Sequence, residues 1–211
     1  LYNKRQEIEH FFHYLFLNNA CSSPLLPTRS MLFTHTKLLV LGWMLGVTSI
    51  SNATHYQIYI LAGQSNGNGR GWADDFGTGT SHPQFEFYKT AQTDVRFYYH
   101  QTQTATNQTL PDDQWIDLAP GSGHGTVAPE NSPELGPEVS FGDAMADEYT
   151  FENIAILKYC HGGTNLHTQW SASGDRYTSL LATVSAATTA LTNAGHTYTL
   201  RGFLWQQGEA D

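Results

Sequence analysis

The sequence predicts an α/β domain on a parallel sheet covered by helices on both faces, and three observations predict it. Three short apolar runs each stop at glycine, two stretches of helical character lie between them, and their order is strand, helix, strand, helix, strand. The first run, Gln57-Ile58-Tyr59-Ile60-Leu61-Ala62, is partly β-branched and ends at Gly63, as a buried strand does. The second covers Asn153 to Tyr159 and is stopped by Gly162-Gly163, and the third covers Thr199 to Trp205 and stops near Gly208. Pro137 opens the first helix at a position where its missing N–H costs nothing, and that helix runs to about Tyr149. From Arg176 to Asn193 the residues Tyr177, Leu180, Leu181, Val184, Ala187 and Leu191 recur at helical spacing and form one apolar face, with Asn193-Ala194-Gly195 as the stop. The crossovers between parallel strands are expected to be right-handed. Residues 64–135 are rich in Gly, Pro, Thr, Gln and Asp. They hold strand candidates at Phe85–Tyr88 and Val95–Tyr99 and a flexible glycine loop at Gly121–Gly125, and read as an insertion beside the active edge.

Composition narrows the function classes. The chain has 211 residues, 40% hydrophobic and 13% aromatic, which suits one domain with its own core. Ten Lys and Arg stand against 19 Asp and Glu, a net charge of -9, which excludes nucleic-acid binding through a basic surface. The two cysteines, Cys21 and Cys160, exclude a disulfide-dense scaffold and a four-thiolate metal site. The histidines are scattered without a His-Glu-x-x-His motif, so no metal site is expected.

The first methionine is Met31. Lys37 then precedes the apolar run Leu38–Val47 and the small residues Ser51-Asn52-Ala53, the pattern of a secretory signal cleaved after Ala53. That run falls well short of the roughly 20 residues a membrane span needs. The expected organisation is therefore an upstream extension at 1–30 outside the mature protein, a signal peptide at 31–53, and a mature domain at 54–211. That domain would be secreted or periplasmic, with no membrane attachment after cleavage. It carries 17 acids, once Glu7 and Glu9 are set aside, and Cys160 without a second cysteine. Asn52-Ala53-Thr54 and Asn107-Gln108-Thr109 are glycosylation tripeptides.

Parallel sheets bind ligands in the crevice at the carboxyl ends of their strands. Ser65, Gly162-Gly163-Thr164-Asn165, and Gln207-Gly208-Glu209-Ala210-Asp211 follow the three strands, so topology brings these distant segments to one edge. Ser65 is a candidate nucleophile, which needs a base in reach; it also fits a plain turn. Gly63 and Gly67 flank it, but no strand–elbow–helix is expected to follow, and Gly67-Asn68-Gly69-Arg70-Gly71 lacks the Lys-Ser or Lys-Thr of a phosphate loop. Gly162 and Gly163 offer backbone N–H donors for an oxyanion, or simply end a strand. Gln207 is a side-chain donor or a buried amide, and Glu209 and Asp211 are acids, bases or helix caps. His161 and His167 are the loop histidines available as a base within the chain. Trp72, Trp115 and Trp170 would instead serve a carbohydrate-binding protein without catalysis, as stacking platforms.

Gly63-Gln64-Ser65-Asn66 after its strand resembles the first block of the SGNH hydrolases, and looks most like their sialate O-acetylesterase and acetylxylan esterase branch, carbohydrate esterase family six. Glu134-Leu135-Gly136-Pro137-Glu138, Gly162-Gly163-Thr164-Asn165-Leu166 and Trp205-Gln206-Gln207-Gly208-Glu209-Ala210-Asp211 are similar to further blocks of that branch. The resemblance implies a three-layer α/β/α sandwich of the SGNH or flavodoxin-like kind, and a serine esterase that removes O-acetyl groups from carbohydrate of sialate or xylan type, a function for which no organic cofactor is expected. It implies Ser65 as the nucleophile, with its own N–H, that of Gly163 (or Gly162) and the side chain of Gln207 as oxyanion donors. Thr164, Asn165 and Glu209 would support the loops. Gly67 stands where relatives often have a bulkier residue, an expected change in the pocket wall. The family takes its catalytic His and Asp from an Asp-x-x-His block downstream of the last segment, so the chain ending at Asp211 is expected to be a partial record of a longer protein.

Overall fold

The computed structural model describes residues 53–80, 82–103, 109–124 and 132–211. The upstream extension, the signal segment up to Asn52, and Asn107 lie outside the described residues. In chain order the elements are β1 (His55–Gly63), α1 (Ser65–Asn68), β2 (Gly71–Trp72), β3 (Gln92–Tyr99), β4 (Trp115–Leu118), β5 (Glu134–Leu135), α2 (Pro137–Glu148), β6 (Asn153–Cys160), α3 (Asp175–Asn193) and β7 (Thr197–Gln206). The main sheet has the order β4-β3-β6-β1-β7. Strands β3, β6, β1 and β7 run parallel, and β4 pairs antiparallel at the edge.

The period of two along each strand divides the core between two helical layers. From β1, Ile58, Ile60 and Ala62 join Ala155, Leu157 and Tyr159 of β6 under Leu180, Val184, Ala187 and Leu191 of α3. Leu61 joins Val95, Phe97, Ile154 and Ile156 on the opposite face, against Phe141 and Met145 of α2. This is the three-layer arrangement expected. Each fully buried aliphatic side chain adds roughly 1.5–3 kcal/mol of transfer free energy, so the α3 stripe alone accounts for its docking. α3 stops where expected: Gly195 takes φ 84°, and the N–H of His196 returns to Leu191 O at 3.0 Å.

The insertion departs from its expected form in three places. Val95–Tyr99 is a strand, but it belongs to β3 of the main sheet, so the segment widens the core rather than decorating it. Phe85–Tyr88 is not a strand; it lies in a 3₁₀ segment, Pro83–Lys89, opened by Pro83. Its Phe-Glu-Phe alternation imitates strand periodicity, but no neighbouring strand takes its hydrogen bonds. The glycine loop is packed over its described part: Gly121, Ser122 and Gly123 are buried, and the N–H groups of Gly121 and Gly123 both donate to Glu134 O.

A buried ionic network explains that packing. Lys158 of β6 and Glu138 of α2 are both 0% exposed and meet at 2.9 Å. Lys158 Nζ also donates to Asn68 O at 2.5 Å and Ser122 Oγ at 3.0 Å. Glu138 Oε1 accepts from Ser122 Oγ at 2.7 Å and from the N–H of Gly136 at 2.9 Å. Each charge keeps a full set of partners, the condition under which a buried pair is tolerated. Lys158→Met, which strands the Glu138 carboxylate, is expected to cost roughly 3–5 kcal/mol, read from the shift in urea midpoint at constant slope.

Candidate active site

Register creates the site. Gly63 of β1 lies opposite Cys160 of β6 and Gln206 of β7, so three parallel strands end level. The pairing runs one step further, with the N–H of His161 on Gly63 O and that of Gln64 on Gln206 O, both at 2.9 Å. Gly63 has φ 143°, and a Cβ there would stand 2.0 Å from Gln206 O, so no other residue fits where β1 meets β7. Ser65, Gly162-Gly163 and Gln207 therefore leave the sheet side by side.

Ser65 opens α1, a single helical turn closed by the N–H of Asn68 on Gln64 O and that of Gly69 on Ser65 O. A strand–turn–helix thus does follow β1, contrary to the expectation from sequence. Lys158 Nζ holds the far end of this turn by donating to Asn68 O. Ser65 is half-buried, and among the described residues no histidine or carboxylate hydrogen-bonds its hydroxyl. Gln64 is 2% exposed with Oε1 unpartnered among the described residues. Gly67 is buried, and a Cβ there would stand 3.0 Å from Cys160 Sγ and 3.2 Å from Gln206 Cβ, so its smallness serves the junction beneath the turn.

The loop after β6 is held rigidly. Thr164 Oγ1 donates to His161 O at 2.7 Å and accepts from Trp170 Nε1 at 2.8 Å. Asn165 Oδ1 caps its own turn by accepting from the N–H and hydroxyl of Thr168. Gly163 takes φ 71°, and nothing lies within 4 Å of a Cβ built there, so the glycine answers to backbone conformation alone. The N–H of Gly162 donates to Gln103 Oε1 at 2.7 Å, whereas that of Gly163 has no partner among the described residues. Gln103 was missed by the sequence reading; a glutamine in a polar loop carries no signal until the fold brings it over Gly162.

The segment after β7 is tied to both neighbours. Gln207 Nε2 donates to Thr164 O at 3.3 Å, the N–H of Leu166 donates to Asp211 Oδ1 at 2.7 Å, and Asn66 Nδ2 donates to Glu209 Oε1. Glu209 and Asp211 are thus engaged as loop ties. Trp170 is buried in the α3-side core with its indole N–H on Thr164 Oγ1, and Trp115 is half-buried against that core with its indole N–H on Ala187 O. The cluster His100, Asp112 and Asp113 gathers three potential metal ligands. One oxygen of each carboxylate is already engaged, Asp113 Oδ1 by Tyr98 and His100 and Asp112 Oδ1 by the N–H of Gln101.

Two groups beside the site have shifted titrations. Burial pushes the Cys160 thiol up to about 12, only partly opposed by the Lys158 ammonium. Burial, then the Arg176 guanidinium, pushes the His161 imidazole below its usual value, and its Nδ1 is buried without a partner among the described residues. His167 is exposed.

A family model described as carbohydrate esterase, sialic acid-specific acetylesterase matches residues 55–211. No curated protein matches the sequence. The crystal structure of NanS is similar at 17% identity with a TM-score of 0.51, covering 74% of this chain and 55% of that one. A protein from Arabidopsis thaliana is similar at 20% identity with a TM-score of 0.48, covering 74% of this chain and 58% of that one. The chain spans somewhat more than half the length of each of these structures, and the likeness to NanS shows a shared fold.

Cys160 is expected to resist iodoacetamide at pH 8 in the native state and to react fully in denaturant, as mass spectrometry reads, because almost none of it is thiolate. His161, held neutral by burial, stabilises the fold above the unfolded imidazole pKa, and that contribution is lost as pH falls from about 6.5 toward its lowered folded value. His161→Gln should therefore flatten the dependence of the urea midpoint on pH in that window.

Proposed function

The chain belongs to the sialic acid-specific acetylesterase family of carbohydrate esterases, and on that footing we propose that it removes O-acetyl groups from carbohydrate, sialate or xylan-type, through an acyl-enzyme on Ser65. The observation that carries the reading is the level ending of β6, β1 and β7, which sets Ser65 beside Gly162-Gly163 and Gln207. Ser65 Oγ attacks the acetyl carbonyl carbon. The oxyanion rests on the N–H groups of Ser65 and Gly163 and on Nε2 of Gln207, dipoles fixed before the reaction begins. Gly162 is set aside as a donor because Gln103 already takes its N–H. The sugar leaves as an alcohol, and water then releases acetate from the serine ester. The base that takes the serine proton and returns it to the leaving oxygen is, as the resemblance implies, a histidine with an aspartate partner. Thr164, Asn165 and Glu209 hold the donor loops in place, and no metal or organic cofactor enters any of these steps.

A secretory signal at 31–53 and a mature domain from 54, secreted or periplasmic, complete the proposal. The polar, acidic composition of that domain and the short apolar run before it support this part. Among the described residues no helix is long and apolar enough to cross a membrane. Of the tryptophans that a carbohydrate binder without catalysis would use, Trp170 is buried in the core, and Trp72 and Trp115 are half-buried.

In the full-length protein, Ser65→Ala is expected to lower acetate release from an acetylated sugar by about 10⁴-fold or more, because members of a catalytic triad act as a unit. An unchanged rate would remove Ser65 from the nucleophile role. Gln207→Ala is expected to lower kcat by roughly 10²–10³-fold with little change in KM, as loss of one oxyanion donor does.

A further inference from the structure

The loop that leaves β3 is fastened to the end of β6 at three successive points. The N–H of His100 donates to Lys158 O at 3.2 Å, Thr102 Oγ1 donates to Cys160 O, and Gln103 Oε1 accepts from the N–H of Gly162 at 2.7 Å. The last contact settles which way the Gln103 carboxamide is turned, because only its oxygen can accept. Its nitrogen is then the free end, with no hydrogen-bond partner among the described residues. A Cβ built on Gly162 would lie 3.0 Å from Gln103 Oε1, 3.7 Å from Gln103 Nε2 and 3.6 Å from Ser65 Cβ. An oriented donor therefore stands across Gly162 from the serine, on a side chain pinned at its other end.

We infer that Gln103 is a substrate-binding residue of this site, donating from Nε2 to an oxygen of the sugar that carries the ester. The inference rests on the proposed role of Ser65 as the nucleophile that attacks the ester, and it adds the face from which the sugar is held. A sugar ring presents hydroxyl and ring oxygens on every side of an acetylated position, whereas a small acetate ester presents none. A donor fixed in advance loses little freedom on binding, so its bond contributes to affinity rather than to ordering itself. The same side chain takes the N–H of Gly162, while that of Gly163 has no partner among the described residues.

The test measures binding by calorimetry in the full chain carrying Ser65→Ala, with O-acetylated N-acetylneuraminic acid as the probe. Gln103→Glu keeps the oxygen that accepts from Gly162 and loses the donor; Gln103→Ala loses both. The expected result is about tenfold weaker binding for Gln103→Glu, in line with loss of one hydrogen bond, with weakening at least as large for Gln103→Ala. Slow amide exchange at Gly162 should persist in Gln103→Glu and be lost in Gln103→Ala. Gln103→Glu binding as tightly as its parent would overturn the assignment and leave Gln103 a loop tie, and fast exchange at Gly162 in the Gln103→Glu variant would overturn it as well. Absence of binding in the parent with intact Gln103 would overturn the proposed function itself, and the Gln103 assignment with it.

Discussion

The ammonium of Lys158 sits fully out of water directly beneath the turn that follows β1, and groups from three other segments converge on it. Asn68 O belongs to the turn, Ser122 Oγ to the insertion, and Glu138 Oε2 to the first turn of α2. A buried ion pair is weak evidence of stability, because an apolar pair of equal volume often does as well. Its value here is positional. An apolar side chain at 158 would fill the same volume without fixing where the carbonyl of Asn68 stands, and that carbonyl ends the helical turn that begins with Ser65.

The opposite side of the turn is fixed by strand register. Parallel strands ending level would deliver three loops to one edge in any fold of this kind; close approach is what makes the edge tight here. Gly63 leaves room for the carbonyl of Gln206, and Gly67 leaves room for the thiol of Cys160 and the side chain of Gln206. The buried thiol is an inert packing group rather than a reactive one, since burial keeps it protonated. With Lys158 on one side and these contacts on the other, the turn has no freedom to drift. The proposed mechanism depends on that rigidity, because dipoles that must reorient during a reaction contribute far less.

The loops around the serine are tied to one another by polar side chains. Gln207 reaches the loop after β6, Asp211 caps Leu166, Glu209 holds Asn66, and Gln103 holds Gly162. Four polar side chains thereby link the ends of β1, β3, β6 and β7. Glycines at 162 and 163 permit this for separate reasons. The first has Gln103 and Ser65 crowded against it, and the second has open space but a left-handed φ.

Much of this was legible in the residues alone. Apolar runs ending at glycine located β1, β6 and β7, helical spacing located α3, and Pro137 located α2. Those signals are local, and the parallel order of the strands follows from their alternation with helices. The segments at 63–66, 162–166 and 205–211 also announced a common edge, since topology alone brings strand ends together. What the residues could not convey was decided by contacts between segments far apart in the chain. Phe85–Tyr88 alternates like a strand but has no neighbour to pair with, while Trp115–Leu118, too short to stand out, is a strand because Arg96–Tyr98 lies beside it. Lys158 reads as an ordinary strand residue until Glu138 arrives from α2, and Gln103 as an ordinary loop residue until Gly162 passes beneath it. Periodicity records how a segment meets the average environment of a layer; a hydrogen bond between two particular side chains exists only once the layers have closed around them.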